Sequence, residues 1–176
     1  MSSGPMIEAL AGAAPGRGVA PEHMLFARFI GEWDVVVSYR RHGRTETRTG
    51  EWLFGWVLEG MAVQDVWRVP SRAEAERTGA PLHGYGTTLR FYDPALGAWR
   101  STWHGLIKGE VIPFIGRQVG SEIHLEDRSA VPEVRRWAFS AMEPDSFHWR
   151  NETSGDGGTT WLVEQEMDAV RRQAVP

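Results

Sequence analysis

The stretch at residues 85–105, YGTTLRFYDPALGAWRSTWHG, leaves little freedom in how the chain folds. Asp93-Pro94 opens a tight turn and Gly97 closes it. Proline fixes φ for a turn start, aspartate bonds its own backbone, and glycine accepts a positive φ. β-Branched and aromatic residues fill both flanks: Thr87, Thr88, Phe91 and Tyr92, then Trp99, Thr102 and Trp103. That is the pattern of paired strands. The turn sets Tyr92 near Trp99, Arg90 near Ser101 and Thr88 near Trp103, and these six residues are read as one inward face.

The same unit repeats along the chain. Strands are expected at residues 32–40, 45–57, 61–69, both arms of 85–105, 110–118, 121–126, 134–142, 147–153 and 159–167. Pro113 places its strand at an edge or a bulge. The links are short, so the crossovers that parallel strands need are missing. A long antiparallel meander escapes open edges by closing on itself. The fold class is therefore all-β: an antiparallel up-and-down barrel of about ten strands, wide enough to hold a ligand.

Two segments depart from this rhythm. Residues 21–30 read as a short helix, with Pro21 in the first turn, Glu22 at the positive end and Gly31 as the stop. Its apolar face (Leu25, Phe26, Phe29, Ile30) needs something to pack on, so it is expected to cover one end of the barrel. Residues 70–82 carry a capping box, Ser71-x-x-Glu74, and end at Gly79. They read as a solvated surface helix, with a lid over an opening as the alternative.

The chain has 176 residues, enough for one core. The barrel domain is expected over residues 21–171, with a disordered tail at 1–20 and a short tail at 172–176. Nine tryptophans favour an all-β core or an aromatic pocket. With no cysteine, disulfides and thiolate metal sites are excluded. A net charge of −4 argues against general nucleic-acid binding. No apolar run is long enough to cross a membrane. Residues 1–20 lack the basic start and apolar core of a signal peptide, so a cytoplasmic location is expected.

A short helix leading into Phe29-Ile30-Gly31-Glu32-Trp33-Asp34 resembles the Gly-x-Trp opening of lipocalin-like (calycin) barrels. Leu58-Glu59-Gly60, residues 62–67 (AVQDVW), residues 87–94 (TTLRFYDP) and Asp156-Gly157-Gly158-x-x-Trp161 resemble a bacterial family of uncharacterised lipocalin-like proteins. The resemblance covers about residues 22–171 and implies a closed barrel without an assigned substrate. Nitrobindin, a more distant relative in the barrel class, holds haem, which makes haem an alternative occupant. Its opening continues with further glycines, where this chain has Asp34-Val35-Val36-Val37, and haem would also need an axial histidine inside the barrel.

Ser154-x-Asp156-x-Gly158-x-x-Trp161 matches the Asp-box turn of sialidase-type propellers, but it occurs once and is read as a hairpin stabiliser. The six histidines show no metal-ligand spacing, so no metal site is expected. His104 and His148 lie in aromatic strands and would act as acid or base if either faced a dry cavity. Gln64, Asp65, Arg90, Arg100 and Arg150 sit among apolar strand residues. Any of the charged ones pointing inward needs a partner, such as an arginine facing Asp65 or a bound carboxylate.

These readings lead to a binding protein for a small apolar or aromatic molecule, with no cofactor. The expected ligand-binding set is Gln64, Thr88, Arg90, Tyr92, Trp99, Ser101, Trp103 and His148. The first alternative is a cyclase or isomerase using His104, Asp65 or Arg90. The second is a haem barrel. The third is an interaction module, a homodimer formed through the Pro113 edge or a tryptophan-rich surface.

Overall fold

The computed structural model describes residues 4–17, 19–41 and 43–173. Ten strands form one closed antiparallel barrel. They are β1 (Gly31–Arg41), β2 (Arg44–Val57), β3 (Ala62–Val69), β4 (Gly84–Asp93), β5 (Ala98–Gly105), β6 (Glu110–Val119), β7 (Glu122–Ala130), β8 (Glu133–Ser140), β9 (Ser146–Ser154) and β10 (Leu162–Arg171). Each strand pairs with its neighbours in sequence, and β1 closes the ring on β10 from Trp33↔Arg171 to Tyr39↔Gln165. The expected hairpin register is the observed one: Tyr92 pairs with Trp99, Arg90 with Ser101 and Thr88 with Trp103. Closure leaves no outer strand, so the edge expected at Pro113 is absent. Pro113 instead sits just beyond the point where the β6–β7 ladder, Ile115 to Val119, stops. His42, placed by sequence in the β1–β2 turn, lies outside the described residues.

The helix expected over residues 21–30 is replaced by two 3₁₀ turns, Pro21–Met24 and Ala27–Phe29. Side chains three apart eclipse in a 3₁₀ turn. Phe26 and Phe29 both drop into the barrel end, 0% and 1% exposed, and stack among Phe54, Trp99, Phe139 and Phe147. The covering role expected of this segment is thus met by a tighter plug. The plug is latched from the far side of the chain. Arg171 donates to the carbonyls of Ile30 and Arg28 at 2.7 and 2.9 Å, and its guanidinium lies 4.1 Å from the Trp33 ring centre. Gly31 has φ +129°, and a Cβ there would lie 2.6 Å from Arg171 Nη1. The left-handed φ requires glycine ahead of Trp33.

In the segment expected as a tail, Pro5–Leu10 form a helix, α1. Beyond it, Gly12 N–H donates to the Trp56 carbonyl at 2.9 Å and Gly16 N–H to the Gly60 carbonyl at 3.0 Å. Helix α2 (Arg72–Thr78) starts at Ser71, whose Oγ accepts from the Glu74 N–H at 3.2 Å, and ends at Gly79 with φ +69°. The Glu74 carboxylate turns outward to the Thr49 hydroxyl, so the capping box is only half made. With Arg72 N–H on Glu51 at 3.0 Å, α2 lies on the outer wall of β2. No helix among the described residues is long and apolar enough to cross a membrane.

The Asp-box turn behaves as a hairpin stabiliser. Asp156 accepts from the N–H groups of Thr159 and Thr160 at 3.0 and 2.9 Å. Those bonds, Thr160 first, hold its carboxyl well below the ordinary carboxylate range. Trp161 is anchored under Arg136, 3.8 Å from guanidinium to ring centre.

Candidate functional site: a tryptophan belt at the open end

Strand residues alternate between the two faces of a barrel wall. Phenylalanines of the plug fill one end. At the other end a cavity of about 210 Å³ opens to solvent. Its wall is a belt of five tryptophans, one each from β2, β3, β5, β8 and β9. Trp52 and Trp67 are register partners across β2 and β3. From Trp67 the ring centres run to Trp103 at 6.1 Å, to Trp137 at 5.6 Å, to Trp149 at 5.3 Å and back to Trp52 at 6.0 Å. Most of these contacts are edge-on, the arrangement favoured by the ring quadrupole.

Glycines in β4 make room for the belt. A Cβ on Gly84 would lie 2.3 Å from Trp67, and one on Gly86 2.3 Å from Trp103. Polar groups stand among the rings. Trp103 N–H donates to Glu110 at 3.3 Å and Trp137 N–H to Asn151 at 3.1 Å. Arg48 is paired with Glu46 at the rim. Tyr39, Thr88, His83, Lys108, Arg135 and Gln165 also face the cavity.

Beneath the belt, between cavity and plug, lies a fully buried ion pair. Arg90 Nη2 is 2.6 Å from Asp65 Oδ2, with both side chains 0% exposed. Asp65 also accepts from Thr88 N–H at 3.0 Å. The Arg90 guanidinium lies over the rings of Phe26 and Phe54, at 5.1 and 5.6 Å. Burial pushes the Asp65 carboxyl above its ordinary value, and Arg90 pulls against that shift. A buried charge needs a partner of this kind, and the strand register supplies it by setting Val63 opposite Arg90, two residues from Asp65.

The residues picked from sequence divide into three groups. Thr88 and Trp103 line the cavity. Asp65, Arg90, Trp99 and Ser101 are inward and buried, and Tyr92 stacks on His23 at 4.2 Å; none of these five lines the cavity. Gln64, His104 and His148 face outward, against expectation. Gln64 donates to Thr87 at 2.9 Å, and His148 pairs with Asp168 at 2.8 Å. His104 shares the exposed face with its register partner Thr87. Each is one residue from an inward side chain, and one step along a strand reverses the face. His104, Asp65 and Arg90 therefore do not converge on one accessible point.

Arg150 is also outward, bonded to Glu122 and Glu152, both at 3.1 Å. No residue of 70–82, the segment weighed as a lid, lines the cavity, although His83 just beyond it does. For haem, His83 reaches the cavity only from its exposed rim, and His124 pairs with Glu122 at 2.8 Å. Sequence reasoning did not single out Trp52, Trp67, Trp137, Trp149 or Arg135. The signal present was Arg135-x-Trp137-x-Phe139, alternate residues sharing one face.

No family model matches the chain, and no curated protein does. Solved structures do. The crystal structure of Rv2717c from M. tuberculosis superposes with a TM-score of 0.59 at 13% identity, over 88% of this chain and 99% of that one. The S-type phycobiliprotein lyase CPES from Guillardia theta gives a TM-score of 0.56 at 12% identity, over 86% and 93%. At such identities the likeness is one of fold: a calycin-like ten-stranded barrel.

Proposed function

We propose that this protein binds a small apolar or aromatic molecule within the tryptophan belt. One observation carries the reading: five indoles, joined in a run by four edge-on contacts, line a solvent-open cavity of about 210 Å³. A core needs no opening, whereas a binding site is concave, mostly apolar and largely preformed, with a few polar groups to orient its occupant. Large rigid aromatic walls give contact area at low entropic cost. Both solved neighbours share the barrel, and the second is named as a phycobiliprotein lyase.

The test is a tryptophan-fluorescence titration with naphthylmethanol, a neutral aromatic probe. The wild-type emission should change saturably. Trp103→Ala and Trp137→Ala should each weaken binding about tenfold, the loss expected when an anchoring aromatic is truncated. An unresponsive wild type, or variants that bind unchanged, would end this reading.

A further inference from the structure

The polar groups on the cavity wall are unevenly satisfied. The indole N–H groups of Trp67 and Trp149, the Thr88 hydroxyl and the Arg135 Nε are buried without a partner among the described residues, and all four residues line the cavity. Several acceptors there already serve other wall groups: Glu110 accepts from Trp103, Asn151 from Trp137, Glu46 pairs with Arg48, and Glu164 accepts from the Asn151 amide at 3.5 Å. Among the cations, Arg48 is paired, whereas Arg135 and Lys108 have no carboxylate within ion-pair range among the described residues. Lys108 stands at the exposed rim, while Arg135 is half-buried in the wall. What Arg135 lacks is a carboxylate partner, and the acceptor that matches a guanidinium is a planar anion.

We infer that the natural occupant is an aromatic or apolar carboxylic acid, bound as its carboxylate, with the carboxylate on Arg135 and the body across the belt. This rests on the binding reading above and adds the charge of the ligand. Strand alternation supports the arrangement. Arg135 lies two residues from Trp137 on the same face of β8, so head and body sites share one rigid strand. The register partners of Arg135 are Asp127 and Thr153, and Asp127 turns its carboxylate to the Ser129 N–H at 2.9 Å.

The experiment compares naphthoate with naphthylmethanol, its neutral counterpart, by calorimetry and fluorescence on the wild type, Arg135→Met and Arg135→Lys. The wild type should prefer naphthoate by about tenfold or more, the scale of one charge-assisted hydrogen bond. Arg135→Met should lose that preference, read as the ratio of the two affinities within the one variant. Arg135→Lys should keep part of it, and the preference should shrink with salt. Equal wild-type affinity for the two probes, or a preference that survives in Arg135→Met, overturns the carboxylate assignment and leaves the binding reading standing. Failure of the wild type to bind either probe overturns both. If Arg135→Met does not fold, a preference in Arg135→Lys clearly smaller than that of the wild type supports the assignment, and an unchanged preference there overturns it.

Discussion

Removing Arg90 should be among the most damaging single changes to this barrel, and removing Asp65 with it should repair most of the damage. The pair is 2.6 Å apart with no exposure on either side chain. At an effective dielectric of about 20, that separation corresponds to roughly 6 kcal/mol of attraction, set against a desolvation penalty of several kcal/mol per ion. The net value of the pair is therefore near zero, but half of it is a liability. Arg90→Met leaves the Asp65 carboxylate buried with only neutral donors, the Thr88 N–H and the Trp52 indole, and should cost about 3–5 kcal/mol. Asp65→Leu should cost a similar amount. Asp65→Leu/Arg90→Met should return to within about 1–2 kcal/mol of the wild type. Urea unfolding followed by tryptophan emission and by far-ultraviolet dichroism measures all four proteins. With a slope of about 2–3 kcal/mol/M, each single variant should lose roughly 1–2.5 M in midpoint. Single losses that simply add in the double variant would refute the coupling on which this argument rests.

Two further outcomes follow from features of the wall and its turns. Gly86→Ala would put a Cβ 2.3 Å from the Trp103 ring and 2.4 Å from the His104 carbonyl. Because backbone is one of the clashing partners, it should cost about 1–3 kcal/mol and weaken naphthylmethanol binding, checked by urea midpoint and titration. Asp156 has a depressed carboxyl pKa, held down first by the Thr160 N–H. Its stabilising effect is present above the ordinary carboxylate pKa and is lost as pH falls through the depressed value. Asp156→Asn should therefore be less stable than the wild type at pH ~7 and converge on it well below pH ~4. A gap that stays constant with pH would count against the charge being what matters in this turn.

Much of the barrel is legible in the sequence because turns fix register. Asp93-Pro94 and Gly97 determine that Thr88 meets Trp103, and alternation then carries the face along both strands. The Asp65–Arg90 pair is anticipated by the rule that an inward charge needs a partner. Facing fails where both faces carry rings or apolar neighbours. His104 beside Trp103 and His148 beside Trp149 look alike in a one-dimensional reading but stand on opposite sides of the wall from those tryptophans. Which end is open is not written in the strands at all. It depends on Phe26 and Phe29, delivered by a segment whose helical spacing hides a 3₁₀ geometry. Nor does a local pattern bring Arg135 and Trp67 to one cavity, because β8 and β3 share it only through closure of the barrel.

The belt has an optical consequence. Indoles whose centres lie 5.3 to 6.1 Å from the next are close enough for their transitions to mix and for excitation to migrate among them before emission. The five then respond as a single antenna. A molecule that quenches one of them dims its neighbours too, and the far-ultraviolet dichroism should carry paired bands of opposite sign that weaken when an indole of the run is replaced. The protein thus brings its own reporter to the site, and occupancy can be followed without a label.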